Sequence, residues 1–434
     1  MELGHQKEVQ DYIKAVCSQV RFRDIHEDLR LELEAHIQEI AEDLLGQGFT
    51  EKEAIAQAVA QMGNADIVGQ QLNQVHKPKT EWSILLFSFL FINIGLLALY
   101  FIQQQGLLRH NINLFEKSLF FALISFIFII GFYFFDYRKL EKYSIHIYLG
   151  TLVLLIFTVF WGVQAGGSSS WLVLGPFSIN FVAVSPLLFS IALAGIFNEW
   201  DWNNNLKLVQ GLALLALPLM IILMAPSLAA AAILIVAFTV LMIVSGAQLK
   251  QALLIPVPFI VILIWSIFNA PYRLERFLIF LNPGSDPQGY GYLNLQLSKI
   301  ISHSGFLGQG LTFDPLLLPD LHTDFIFAFI TYTCGWLASI LLTALVIMFL
   351  VRMIRIAKQV KITYAKLLIS GFVSILSVQF LWNIFMNLGL APISGVGLPF
   401  ISYGGSQLVI NAAIIGIVLS IYRRKNISSS YKLS

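Results

Sequence analysis

Long apolar runs separated by short polar breaks make up the chain, except over its first 78 residues, where apolar positions come singly. There Leu29, Leu33, Ile37, Ile40 and Leu44 recur at spacings of three and four, which puts one apolar stripe on an otherwise polar helix. Gly46 and Gly48 stop that helix, and Thr50 followed three residues later by Glu53 is a capping box that starts the next. Met62-Gly63-Asn64 closes it, and a last short helix is expected from Ala65 to Val75.

Beyond the linker Val75-His76-Lys77-Pro78-Lys79 the pattern changes. A membrane span needs about 20 apolar residues. Such runs fall at roughly 82–104, 117–135, 143–164, 180–198, 206–225, 228–247, 250–269, 324–351, 362–387 and 403–422. Their even number puts both ends of the chain on one side. Arg138, Lys139 and Lys142 lie in one short connection, Arg352, Arg355, Lys358 and Lys361 in another, and Arg423, Arg424 and Lys425 after the last run. All share the side of the N-terminal region, which the positive-inside rule makes cytoplasmic. The long polar segment 270–323 is then extracellular. The expected fold is all-α: a polytopic membrane domain of about ten transmembrane helices over 79–434, behind a small helical cytosolic domain over 1–78. Pro256 and Pro258 fall inside a span, where they kink a helix beside a cavity or for packing alone.

Composition supports the membrane assignment. The 434 residues are 57% hydrophobic and 12% charged, with mean hydropathy +0.76, where soluble domains carry about 25% charged residues. A net charge of +2 without a basic cluster argues against a nucleic-acid partner. Cys17 and Cys334 lie in dissimilar regions, so no disulfide is expected, and no Cys/His spacing suits zinc. The polar N-terminus has no signal-peptide core, so the first apolar run directs insertion.

Candidate chemistry gathers between 270 and 324. The segment runs from Arg273, Glu275 and Arg276 through Asn282-Pro283-Gly-Ser-Asp286-Pro287-Gln288-Gly289-Tyr290, then Gln296, Lys299, Gly305, Gly308 and Gly310, to His322-Thr323-Asp324-Phe325-Ile326-Phe327. A polar segment of this length is usually functional. Asp324 stands at the lip of a span, where an ionisable group is costly to desolvate and marks a site, or else caps the helix that follows. Arg273 and Arg276 meet anionic phosphate, or pair with Glu275 and Asp286. His322 orients Asp324 or sits polar at the interface, and Asp314 and Asp320 read as solvated loop acids.

These residues resemble the SEDS family (shape, elongation, division and sporulation), which takes in the FtsW, RodA and SpoVE proteins. The family's ordered pattern of an Arg, Asn-Pro-x-x-Asp-Pro, Gly-Tyr, a Gln, clustered glycines and His-Thr-Asp-Phe-Ile-Phe is present. So is its C-terminal stretch, here Asn387-Leu-Gly389-Leu-Ala-Pro392-Ile-Ser394-Gly395-Val-Gly-Leu398-Pro399-Phe400-Ile-Ser402-Tyr403-Gly404-Gly405-Ser406. Trp171-Leu-Val-Leu-Gly175-Pro176-Phe177 is a weaker third match. The resemblance covers about 80–430. The N-terminal region lies outside it and is similar instead to the helical prefix domain ahead of some bacterial permeases and membrane regulators.

The resemblance implies a peptidoglycan glycosyltransferase that polymerises lipid II at the outer face of the bacterial cytoplasmic membrane, beside a class B penicillin-binding protein. It implies Asp324 as the essential carboxylate. It points to Arg273, Arg276, Asp286, Gln296, Lys299, His322, Thr323, Ser402, Tyr403, Gly404, Gly405 and Ser406 as substrate-binding. Attack by a sugar hydroxyl calls for a general base. A leaving diphosphate calls for positive charge or a divalent cation, Mg or Mn.

Three departures stand out. Where the family carries Gly-Glu-Glu-x-Gly, this chain has Thr331-Tyr332-Thr333-Cys334-Gly335. Ser168-Ser169-Ser170 replaces a basic residue before Trp171. Asn180-Phe181-Val182-Ala183 replaces Gln-Pro-Ser-Glu, with Pro186 where a Lys is usual. They leave two alternatives: a member that binds lipid II or a partner synthase and regulates it, and a flippase for lipid-linked sugars.

Overall fold

The computed structural model describes residues 7–75, 77, 80–107, 113–165, 168–175, 177–311 and 318–425. His76, Pro78 and Lys79 of the linker, Pro176 and Asp314 lie outside them. The chain divides into two units, one holding residues up to Thr80 with 360–362 and the chain beyond Ile421, the other holding Glu81–Gln359 and Thr363–Ile421.

In the first unit the apolar stripe becomes α2 (His26–Gly46), packed among α1 (Lys7–Gln19), α3 (Glu51–Gln61) and α4 (Ala65–Val75). Val9, Ile13, Val16, Ile37, Ala41, Ala54, Ile55 and Ala58 are buried together between them. The capping box closes as the sequence requires. The Glu53 carboxylate accepts from the Thr50 N–H at 3.2 Å and from its hydroxyl at 2.6 Å.

In the second unit each apolar run becomes helical, and the protein is a multi-pass membrane protein. The helices are α5 (Trp82–Gln104), α6 (Leu114–Phe134), a short α7 (Arg138–Lys142) and α8 (Ser144–Trp161). After an intervening sheet come α9 (Phe181–Ile196), α10 (Asn205–Met224), α11 (Leu228–Val244), α12 (Leu249–Leu254) and α13 (Val257–Phe268). Then follow α14 (Pro271–Leu281), α15 (Tyr292–His303), α16 (Ile326–Gln359), α17 (Thr363–Asn387) and α18 (Gly405–Arg423). Among the described residues nine helices, counting α12 and α13 as one and α9 with the 3₁₀ turn after it, are long and apolar enough to span. The shorter, apolar α11 makes the tenth. The segments at α9, α17 and α18 are 72%, 72% and 67% buried and form the interior. The others keep apolar side chains outward, such as Leu123, Ile127 and Trp265, as helices facing lipid do. Pro256 and Pro258 fall where the span Leu249–Phe268 is interrupted, between the end of α12 at Leu254 and the first turn of α13. They open α13, in whose first turn a missing N–H costs nothing.

Two features go beyond an all-helical reading. Between α8 and α9, β1 (Val163–Ala165), β2 (Ser168–Leu174) and β3 (Phe177–Asn180) form an antiparallel meander, with Trp171 opposite Asn180 and Leu172 opposite Ile179. Branched and aromatic residues flank Gly175, whose φ of +62° makes the β2–β3 turn. Asn180 then caps α9, its side chain accepting from the Ala183 N–H at 3.0 Å.

The second feature is a break in α16 at Gly335, where φ is +85° and ψ is 174°. A broken helix leaves backbone groups unpaired, which is costly inside a membrane. Residues 305–310 repair it. Gln309 and Gly310 donate to the carbonyls of Tyr332 and Thr333, and Trp336 and Leu337 donate to those of Gly305 and Phe306, at 2.8–3.2 Å.

Candidate functional site

The site is built on a tight turn ahead of α16. Asp320 adopts a left-handed φ of +52°. Its carbonyl gathers the N–H groups of Thr323 at 3.0 Å, Asp324 at 3.1 Å and Phe325 at 3.4 Å, together with the Thr323 hydroxyl at 3.1 Å. Helical bonding then starts with Phe329 N–H to the Phe325 carbonyl at 3.0 Å. Asp324 is thereby fixed just outside the helix.

The C-terminal landmark folds onto this turn. Tyr403 N–H donates to the His322 carbonyl at 2.8 Å, and the two rings lie 5.5 Å apart. The Ser402 hydroxyl donates to the Thr323 carbonyl at 2.5 Å and accepts from Leu398 N–H at 2.7 Å. Gly395 lies beside the carboxylate, since a Cβ built on it would stand 3.7 Å from Asp324 Oδ2. Phe400, with φ +66°, anchors the loop from below among Phe91 and Phe349.

Two residues the sequence reading did not single out as site residues complete the floor. Asn383 and Asn387 are wholly buried, one turn apart on α17. Both donate to the Asp324 carbonyl, at 3.0 and 2.9 Å. Asn383 also donates to Val396 at 2.6 Å, and Asn387 Oδ1 accepts from Ala328 N–H at 3.2 Å. The signal was present: two amides at helical spacing in an apolar span must be satisfied by something.

The Asp324 carboxylate itself receives no hydrogen bond and meets no cation among the described residues. It does not cap α16. Burial, and then the negative charge of Asp320, pushes it up to about 6. Burial pushes His322 down against the opposing pull of Asp320, so the imidazole is neutral near pH 7.

The remaining candidates are dispersed. Arg273 on α14 donates to the Tyr272 hydroxyl at 2.8 Å and the Ser266 carbonyl at 3.2 Å, and Arg276 lies over the Tyr290 ring at 5.7 Å. Neither pairs with Glu275 or Asp286 among the described residues. Asp286 closes its own turn, accepting from the N–H groups of Gly289 and Tyr290 at 3.0 and 2.8 Å. On α15 Lys299 is exposed, and Gln296 has its carbonyl oxygen buried without a partner. Gly404 precedes α18, and Gly405 lets it approach the Phe121 ring, with 2.6 Å between a built Cβ and Cγ. The Ser406 hydroxyl reaches the Ser178 carbonyl of β3 at 3.4 Å. Among the described residues no hydrogen bond joins Arg273, Arg276, Asp286, Gln296 or Lys299 to the Asp324 turn.

At the positions where charges are replaced, the Thr333 hydroxyl bonds back to the Phe329 carbonyl at 2.8 Å. Thr331 and Ser339 share a hydrogen bond of 2.7 Å across the break in α16. No three His, Cys, Asp or Glu side chains converge among the described residues, so the donor set does not form a protein-built cation cage.

The family described as "Cell cycle protein" (FtsW/RodA/SpoVE) matches residues 81–427. The chain is 28% identical over 363 residues to stage V sporulation protein E of Bacillus subtilis (strain 168), covering 80% of this chain and 98% of that protein. It is 30% identical over 302 residues to peptidoglycan glycosyltransferase MrdB of Escherichia coli (strain K12), covering 68% and 81%. In fold it is similar to a chain of a peptidoglycan synthase complex solved for its coordination of polymerization and crosslinking. The TM-score is 0.68 at 23% identity, over 80% of this chain and 98% of that one.

Proposed function

Since this chain belongs to the FtsW/RodA/SpoVE family of cell cycle proteins, we propose that Asp324 is the general base of its peptidoglycan glycosyltransferase reaction. The protein is a membrane glycosyltransferase of peptidoglycan synthesis, as its relatives are named. That puts polymerisation ahead of the regulator and flippase readings. The observation that carries the role of Asp324 is a partly buried carboxylate, up at about 6, that no described residue engages. A base of that strength is ionised at neutral pH yet still takes a proton readily.

The substrate is lipid II, and the site faces the outer surface of the cytoplasmic membrane with both chain ends inside. Asp324 removes the proton from the acceptor sugar's 4-hydroxyl as its oxygen bonds to the donor's anomeric carbon. The bond from that carbon to the diphosphate oxygen breaks, and the diphosphate departs with the electron pair. Arg273, Arg276 and Lys299 are candidate cations for its charge. A divalent cation, when bound, would accompany the diphosphate and offset its charge rather than sit in a cage of side chains. A class B penicillin-binding protein crosslinks the product, and the N-terminal unit is a cytosolic interaction module.

The test is polymerisation of labelled lipid II by the purified protein with a class B partner, run beside Asp324→Asn. Glycan chains from the wild type alone support the reading. Chains from both proteins remove Asp324 as the base, and chains from neither return the protein to a regulatory role.

A further inference from the structure

An acid immediately before a helix ordinarily turns its carboxylate onto the first-turn N–H groups, because these have no partner within the helix. Asp324 stands one residue farther out, with Phe325 at the cap position, and its carboxylate takes none of these N–H groups among the described residues. The N–H of Ala328, third residue of α16, goes instead to Asn387 Oδ1 on another helix. The orientation of that amide is fixed by its surroundings. Its nitrogen faces the Asp324 carbonyl at 2.9 Å, the Asn383 carbonyl at 2.9 Å and Asn383 Oδ1 at 3.3 Å, so a flipped amide would set oxygen against three acceptors. Asn383 is held likewise, its nitrogen facing the carbonyls of Asp324 and Val396.

We propose that Asn387 caps α16 from outside so that the Asp324 carboxylate stays unengaged, while Asn383 pins the same peptide. The two amides are thus positioning residues for the base. The proposal rests on the general-base role given above. One buried side chain does two jobs. It satisfies the N–H that would otherwise draw the carboxylate in, and it fixes the Asp324 carbonyl so that the side chain projects beside Gly395. Among the described residues the titratable groups around Asp324 are Asp320 and His322 on its own turn and Tyr403, whose ring faces His322, and α17 presents only the neutral amides.

Removing Asn387 takes from the buried Ala328 N–H its partner and loosens the Asp324 peptide that Asn387 also holds, and the proposal expects the carboxylate to turn onto that N–H. A carboxylate that accepts such a bond becomes a weaker base. In Asn387→Leu, kcat falls about 10–100-fold, within the span that a general base supplies, with KM little changed. The acid limb of the kcat–pH profile moves to lower pH. Asn383→Leu keeps the cap, so it lowers kcat without moving that limb.

A second readout does not need turnover. The difference in Tm between each protein and its Asp324→Asn counterpart, followed from pH 4 to 8, reports the titration of Asp324 directly. The proposal expects this titration to move to lower pH in Asn387→Leu and to stay in place in Asn383→Leu. Should Asn387→Leu not fold, Asn387→Gln, which displaces the amide by one methylene, is expected to move it the same way by less. A titration left in place in a folded Asn387 variant overturns the proposal, even where Tm falls. A titration that moves while Asp324→Asn still polymerises sinks the general-base role and leaves the cap standing.

Discussion

Gly308 and Gly335 stand back to back. A Cβ on Gly308 would lie 2.7 Å from the Gly335 nitrogen, and one on Gly335 would lie 2.6 Å from the Leu307 carbonyl carbon. Both have positive φ, +88° and +85°, which costs an L side chain about 1–2 kcal/mol. The backbone contact adds overpacking of about 1–3 kcal/mol. Gly335→Ala and Gly308→Ala are each expected to lose roughly 2–5 kcal/mol, read as a marked drop in Tm in detergent. Gly131→Ala is the control. Nothing lies within 4 Å of a Cβ there, and its Tm is expected to hold or rise.

That contact shows where legibility in the sequence ended. The glycines at 305, 308 and 310 announced tight turns, but the break they repair falls inside a run whose apolar pattern continues through Gly335. Hydropathy averaged over 20 residues does not register one left-handed residue. The spans themselves were legible because lipid demands length and apolarity, and their helices end close to the expected boundaries except α16, which runs on past 351 to Gln359. The two motifs were legible too, but not their union. Tyr403 meets His322 through backbone atoms, and backbone atoms leave no mark on side-chain patterns. The helices inside 270–323 escaped because α14 and α15 are short and surrounded by Gly and Pro.

Asp324→Asn is expected to stabilise the protein at neutral pH while abolishing polymerisation. The folded protein holds the Asp324 proton up to about 6, against about 3.9 for an unperturbed aspartate. Ionised Asp324 therefore disfavours folding, by roughly 2–3 kcal/mol above pH 6, and this burden vanishes below about pH 4 where both states are protonated. Asparagine never ionises, so the gain in Tm appears at pH 7.5 and is absent at pH 4. A variant no more stable at pH 7.5 than at pH 4, relative to wild type, contradicts the raised value.

Polymerisation is expected to rise with pH through about 6 and then level off, since the base acts ionised. Asp320 is exposed and contributes to that value by its charge. Asp320→Asn keeps a side chain that tolerates left-handed backbone, and is expected to shift the rise to lower pH by roughly a few tenths of a unit. High salt screens an exposed charge, so about 0.5 M NaCl should reproduce the shift in the wild type and add nothing to the variant. A shift that salt leaves untouched would place the effect in the turn's geometry instead.

Glu81, 4% exposed at the start of α5, is held by Arg352 of α16 through two bonds of 2.8 Å, and the same guanidinium reaches the Ser83 hydroxyl at 3.0 Å. Removing one member of such a pair leaves a buried charge uncompensated, which typically costs about 3–5 kcal/mol. The partial exposure of Arg352 places Glu81→Leu and Arg352→Met toward the lower end. Removing both charges removes the penalty, so the double variant is expected to recover most of the lost Tm. Arg352→Lys keeps the charge but not the two-pronged geometry and is expected to recover little. Losses in the double variant that equal the sum of the single ones would mean that the two side chains act independently.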